Sequence, residues 1–142
     1  MREARRCLFP LLRRPLSPFY PHTPTHTRRT PPPPRSAAFC ATHPWLATGS
    51  TNGSLLITDL STSATRHHFS LSGGIIRVAW VPGAAPLLAA ATAHGLVRVI
   101  DARDGSTRAE LTGHVGMVLD MRVSAAGVVT AGDDGMCRVY GL

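Results

Sequence analysis

The chain has 142 residues and a formal charge of +7, from 15 basic and 8 acidic side chains. That length suits one ordinary domain, and the richest apolar run, Pro86 to Ala93, falls well short of the roughly 20 residues a membrane-crossing helix needs. The three cysteines (Cys7, Cys40, Cys137) are odd in number and form no C-x-x-C pair, which argues against a disulfide framework or a zinc site and fits a reducing compartment.

Residues 1–40 differ in composition from the rest. They hold nine of the twelve prolines and eight of the fifteen arginines, against a single acid, Glu3. From Ala41 onward seven arginines balance seven acids, so the whole net charge belongs to this leader. Proline every few residues removes backbone donors and fixes φ, so neither a helix nor a sheet is expected across 1–40. Pro31–Pro34 should form a short polyproline II rod. The leader is therefore read as disordered. An organelle transit peptide is the alternative, because arginine and Ser/Thr richness with few acids is its composition; an SH3-type ligand is a third reading.

From residue 41 to 142 the pattern changes to short aliphatic or β-branched runs punctuated by Gly, Asn and Asp, with no helical period. In chain order the expected strands are Leu46–Ser50, Ser54–Thr58, Arg66–Leu71, Ile75–Val81, Leu87–Ala91, Leu96–Ile100, Thr107–Leu111, Met117–Val123, Val128–Ala131 and Met136–Tyr140. Runs of this length and spacing predict an all-β antiparallel architecture. Asn52-Gly53, His94-Gly95 and Asp134-Gly135 each stand between two of the runs, as tight hairpins require.

The three turns also repeat. Gly53 to Gly95 is 42 residues and Gly95 to Gly135 is 40, and aligning them superposes the strands that follow. Each of the first two units closes on Leu-x-Gly, at Leu71-Ser72-Gly73 and Leu111-Thr112-Gly113. A period near 40 with four short strands per unit is the signature of a WD40 blade.

On these residues the chain resembles the WD40 family. Gly113-His114 matches its Gly-His, and Thr58-Asp59, Ile100-Asp101 and Tyr140-Gly141 stand where its Trp-Asp would be. The resemblance implies a partial β-propeller of about two and a half four-stranded antiparallel blades. It also implies a buried structural tetrad of His114, Thr130, Asp134 and Tyr140, with the imidazole bridging a turn carboxylate and a strand hydroxyl. In the first two units that network is expected to be absent, with Gly74 in place of the His, Ala90 of the hydroxyl residue and Ile100 of the Trp. The stretch from Gly53 to Leu142 is similar to the C-terminal part of the angio-associated migratory cell protein family, on Asp59-Leu60-Ser61-Thr62, Arg66-His67, Gly74-Ile75, Val97-Arg98, Ile100-Asp101-Ala102-Arg103, Gly113-His114 and Leu119-Asp120. That family has fungal relatives that chaperone a ribosomal protein. The chain stops two residues past the third strand of its last unit, as rings of this family do, so the resemblance implies blades lost from the N-terminal side.

The polar residues admit sharper readings, and each is weaker than a plain one. His114, Asp134 and Thr130 could be written as a hydrolase triad, but no nucleophile elbow precedes a helix and Thr130 lies inside a strand. His67 and His68 are neighbours on a strand and point to opposite faces, so they cannot chelate one ion. Gly73-Gly74 is a turn with no helix or Lys after it, not a phosphate cradle. Asp101 and Arg103 resemble the element by which some WD40 receptors dock a ubiquitin-ligase adaptor, and otherwise simply flank a turn. Trp45 and Trp80 read as blade-packing aromatics. The expectation is a non-enzymatic interaction scaffold without cofactor, metal or catalytic residues. It would bind protein partners, a ribosomal protein among them, but no small-molecule substrate and no membrane. A cytoplasmic or nuclear location follows, and nucleic acid would enter only through the Arg-rich leader. The rival is an organelle-targeted or RNA-associated protein in which those arginines act; a fragment without function is the third possibility.

Overall fold

The computed structural model describes residues 33–142. Their secondary structure is entirely β: β1 (Pro34–Phe39), β2 (Trp45–Ser50), β3 (Ser54–Asp59), β4 (Ala64–Ser70), β5 (Ile75–Trp80), β6 (Leu87–Thr92), β7 (Val97–Asp101), β8 (Thr107–Leu111), β9 (Val118–Ser124), β10 (Gly127–Gly132) and β11 (Cys137–Tyr140). The strands form three antiparallel meanders, β1-β2-β3-β4, β5-β6-β7-β8 and β9-β10-β11, called blades 1, 2 and 3 below. The ten expected strands are all present, with ends shifted by no more than two residues.

The eleventh is a correction. β1 lies inside residues 1–40, where a disordered leader was expected, so the repeat region begins at or before Pro34 and not at residue 41. Proline content hid it. Pro34 occupies the first position of a strand at the edge of its sheet, where no ladder donor is required. The pairing slips once between Pro34 and Ser36 and then runs regularly from Ala37↔Thr48 to Phe39↔Leu46. Blade 1 is therefore complete with four strands, and the described part is two four-stranded blades and one of three strands. The expectations for residues 1–32 lie outside the described residues.

The three hairpin turns fall where the sequence places them. Gly53, Gly95 and Gly135 have φ of 87°, 77° and 74°, a left-handed conformation that a Cβ disfavours. Each N–H returns to the carbonyl three residues earlier, Ser50, Thr92 and Gly132.

Why the blades stack follows from blade 2. Its β6, LLAAAT, is apolar at consecutive positions rather than alternate ones, the pattern of a strand covered on both sides. Leu88, Ala90 and Ile100 face blade 1, in a core with Trp45, Ala47, Leu55, Ile57, Ile75 and Val78. Ala89, Ala91, Val97 and Val99 face blade 3, in a second core with Val118, Met121 and Val128. Between blades 1 and 2 the packing is close: Val78 N–H donates to Ser36 Oγ (3.0 Å) and Trp80 Nε1–H to the Ala38 carbonyl (2.9 Å). A Cβ added at Gly49 would collide with the Ile75 side chain and press on Val78. Overpacking of this kind typically costs about 1–3 kcal/mol. Gly49→Ala is therefore expected to lower the midpoint of urea unfolding by a corresponding amount, and an unchanged midpoint would mean that the junction is looser than these distances imply.

Candidate functional site

Two polar clusters and one cleft carry the chemistry of the described residues. The first cluster is the expected tetrad. His114 enters from the long connection before β9, Thr130 from β10, and Asp134 from the β10–β11 turn. His114 Nδ1 lies 3.0 Å from both carboxylate oxygens of Asp134, and Nε2 lies 2.7 Å from Thr130 Oγ1. A carboxylate only accepts, so Nδ1 carries a proton; in the neutral ring Nε2 then accepts from the Thr130 hydroxyl. Asp134 also receives the N–H groups of Val115 (3.2 Å) and Met136 (3.1 Å). Burial pulls the Asp134 carboxyl upward, but the bonds from His114, Met136 and Val115 together hold it below its ordinary value.

The fourth member departs from expectation. The Tyr140 hydroxyl donates to the Thr112 carbonyl (3.1 Å) and does not join Thr130. It ties β11 to the start of the same connection, so three side chains form the network and the tyrosine braces it from outside. Both the His114 side chain and Thr130 are sealed from solvent. A hydroxyl–imidazole–carboxylate set enclosed in this way offers a substrate no face to approach; what it does is hold a loop against a turn.

Blade 2 reaches the same end differently. Val78 pairs with Ala90 and Met121 with Thr130, positions five residues ahead of Gly95 and Gly135. Measured from the closing leucine, Leu71 or Leu111, the connection in blade 3 is three residues longer. Gly74 is thus the counterpart of Met117, not of His114 as the sequence alignment suggests. The backbone shows it: Ala93 N–H donates to the Gly74 carbonyl (2.8 Å) as Asp133 N–H does to that of Met117 (3.0 Å). The loop that would carry a histidine is absent from blade 2, so its turn needs no carboxylate and has His94 instead, whose Nδ1 lies 3.2 Å from Ser72 Oγ. In blade 1, Asn52 caps its own turn by accepting from Ser54 N–H (2.9 Å).

The second cluster centres on Asp101, whose carboxylate is almost fully buried. Arg103 grips it with Nε on Oδ1 (3.0 Å) and Nη2 on Oδ2 (2.6 Å), and Arg108 adds Nη2 on Oδ2 (2.8 Å). The Arg103 bonds, then its backbone N–H and Arg108, outweigh burial and hold the Asp101 carboxyl far below its ordinary value. Blade 1 has a weaker version, with Asp59 accepting from Ser61 and lying 4.0 Å from Arg66, which stacks over the Trp45 ring at 4.2 Å. Asp101 therefore turns inward, whereas Arg103 and Arg108 keep about half of their side-chain surface exposed. A partner docking here would meet the arginines and not the acid.

His67 and His68 do point to opposite faces, but neither is idle. His67 Nε2 lies 3.1 Å from the Ala102 carbonyl across the blade 1–blade 2 junction, and His68 Nε2 lies 2.8 Å from Ser54 Oγ within blade 1. Among the described residues no group of His, Cys, Asp and Glu could hold a metal ion.

The cleft is a feature that sequence reasoning did not find. It has a volume of about 490 Å³ and runs along β1, β5 and β9 and the loops after β1 and β5. These three strands are the first of their blades, each at the edge of its sheet. Phe39, Trp80 and Pro82 give it an apolar wall. Arg77 and Arg122 flank Asp120, at 3.3 and 3.6 Å from its Oδ1. No motif announces such a site, because it exists only where successive first strands lie side by side.

The comparisons with known proteins agree with the fold. The family model for the WD domain, G-beta repeat, matches residues 22–59 and 105–141, the first of which takes in β1. The angio-associated migratory cell proteins of Canis lupus familiaris and Homo sapiens are 36% and 35% identical over 107 residues, 74% of this chain and 24% of theirs. Transducin beta-like protein 3 of Mus musculus is 34% identical over 111 residues, 75% of this chain and 14% of its own. This chain thus spans about a quarter, or less, of these relatives. Among solved structures, Chaetomium thermophilum Sqt1 bound to the N-terminus of ribosomal protein L10 superposes with a TM-score of 0.71 at 30% identity, over 77% of this chain and 32% of that one. Sqt1 of Saccharomyces cerevisiae superposes with a TM-score of 0.68 at 24% identity, over 82% of this chain and 34% of that one, and shares the fold.

Two measurements test the clusters. His114→Ala should lower unfolding stability by about 1–3 kcal/mol, because the buried Thr130 hydroxyl is left without its partner. His68→Ala should cost less than His114→Ala, since its bond is exposed, and His67→Ala should fall between. Equal losses at all three positions would refute the ranking. For Asp101, whose folded-state pKa is depressed, the stabilisation is complete above the ordinary value of 3.8 and is lost as pH falls toward the folded-state value. Asp101→Asn should therefore unfold more readily than the parent at neutral pH, with the gap closing below about pH 4; a gap that persists in acid would mean that charge is not the source.

Proposed function

Because the chain belongs to the WD40-repeat family, we propose that it is a non-enzymatic scaffold that holds an extended segment of a protein partner in the cleft along β1, β5 and β9. The observation that carries this reading is the cleft itself, which joins an apolar wall to a polar Arg77–Asp120–Arg122 group and to the edges of three sheets. A peptide laid there can satisfy its backbone against strand edges and place side chains against the wall.

For the partner, a ribosomal-protein segment is the best-supported class. The support is likeness to Sqt1 in its complex with the N-terminus of ribosomal protein L10. A chaperone-like handling of such a segment, in the cytoplasm, is the corresponding role. Fluorescence anisotropy with a labelled peptide of the L10 N-terminus and the full chain tests it. Saturable binding is expected, weakened at least about tenfold by Arg122→Trp, which fills the cleft from an exposed position; a tenfold loss corresponds to 1.4 kcal/mol. No binding, or binding indifferent to the filled cleft, sinks the proposal. Binding to single-stranded RNA with a steep salt dependence would point instead to the arginines before Pro33.

A further inference from the structure

The turn between β7 and β8 carries a hydroxyl that the fold does not ask for. Blades 1 and 2 build this turn alike. Asp59 and Asp101 open it, Arg66 and Arg108 follow seven residues later, and the pairs Thr58↔Thr65 and Ile100↔Thr107 close it. In that alignment Ser106 stands where blade 1 has Ala64. Each donates its backbone N–H to the side chain two positions earlier, Asp104 or Thr62, so the turn forms without the hydroxyl. What the hydroxyl adds is a second bond to Asp104, from Ser106 Oγ to Oδ1 at 2.7 Å.

That bond begins a short chain of charges. The other oxygen of Asp104 lies 3.7 Å from Arg108 Nη2, and the same nitrogen lies 2.8 Å from Oδ2 of the buried Asp101. A phosphoryl group on Ser106 Oγ is repelled by the Asp104 carboxylate and stands within reach of the guanidinium beside it. The serine also has the approach that such a group needs. Ser106 is half-buried, Asp104, Thr107 and Arg108 around it are exposed, and rotation about its Cα–Cβ bond frees Oγ from Asp104. Arg103 stands three positions before it, and among residues 33–142 Ser106 is the one serine or threonine so placed.

We propose that Ser106 is a phosphorylation site for a kinase that reads arginine ahead of its serine, and that the phosphate draws Arg108 from Asp101 and loosens the junction of blades 1 and 2. In the transfer, Oγ bonds to the γ-phosphorus of ATP, the bond from that phosphorus to the bridging oxygen breaks, ADP leaves, and the hydroxyl proton goes to the kinase's base. Asp101 then keeps Arg103 alone, and a buried carboxylate that loses a charged donor is destabilising. The junction feels the change because this turn rests on blade 1. The Ala102 carbonyl lies 3.1 Å from His67 Nε2, and a Cβ at Gly105 would stand 3.0 Å from His67 Nδ1.

The full chain, treated with ATP and an arginine-directed serine kinase, should carry phosphate on Ser106 when its peptides are mapped by tandem mass spectrometry. Phosphate on Thr107 in its place, or none on this turn, overturns the proposal. The consequence is read by urea unfolding against Ser106→Ala treated in the same way, which carries any phosphate placed elsewhere. Treatment should lower the midpoint of the parent and leave that of Ser106→Ala where it was. Arg108→Ala separates loss of the arginine from simple repulsion at Asp104. With no guanidinium to withdraw, phosphate on Ser106 should lower the midpoint of that variant much less than it lowers the parent's. Equal shifts in the two backgrounds, or no shift in the parent, overturn the exchange of Arg108 between Asp101 and the phosphate.

Discussion

Blade 2 is a single four-stranded sheet with apolar side chains on both faces, and the arrangement of everything else answers that fact. An isolated sheet of this size has no interior of its own, because alternate side chains project to opposite sides. Leu88, Ala90 and Ile100 would be in water without blade 1, and Ala89, Ala91, Val97 and Val99 without blade 3. Stability in such a stack is therefore held at the junctions and spreads from neighbour to neighbour. The alanines of β6 fit this role. Small side chains on the central strand let the next blade approach closely, as Gly49 does at the other junction.

Apolar packing fixes the distance between blades but leaves their loops free, and polar bonds supply what packing does not. The connection before β9 is long and needs His114, Thr130 and Asp134 to hold it to the β10–β11 turn. Its counterpart before β5 is three residues shorter and is held by backbone bonds from Ala93 N–H to the Gly74 carbonyl and from Leu71 N–H to that of Gly53, with His94 against Ser72. On the opposite side, Asp101 gathers two arginines around the turn between β7 and β8. A buried carboxylate is tolerable there only because both oxygens are matched by guanidinium donors. Cross-blade bonds from Val78, Trp80 and His67 then orient one sheet on the next.

What could be read in the sequence was what repeats. The 40-residue spacing of Asn52-Gly53, His94-Gly95 and Asp134-Gly135 locates the hairpins because only certain residues accept a positive φ, and ten strands follow from the runs between them. Of the tetrad, His114, Thr130 and Asp134 were legible only through the resemblance to the WD40 family, since the set stands in the third unit alone. Tyr140 was not, because a phenol places its donor beyond the reach of an indole nitrogen and finds the Thr112 carbonyl instead. β1 was obscured by Pro34, since proline argues against a strand everywhere except at an edge or a first residue, and edge position is a tertiary fact. Arg108 as a second partner of Asp101 lies seven residues away, across a hairpin whose register slips between Val99 and Ile100. No offset rule anticipates it.

The cleft shows the deepest reason for that divide. Phe39, Trp80 and Arg122 are separated by about forty residues each in sequence and meet only because blades 1, 2 and 3 present their first strands side by side. Each blade contributes a strand edge and one or two side chains, too little to bind anything alone. Recognition by this surface would consequently be a property of the stack: a Cβ added at Gly49, remote in sequence from Arg122, would press on Ile75 and on the cleft-lining Val78 of β5. The same dependence runs the other way. A segment held across β1, β5 and β9, as proposed, would touch all three blades at once, so its binding energy would add to the junctions that hold them and would stabilise the stacked form over the unfolded chain.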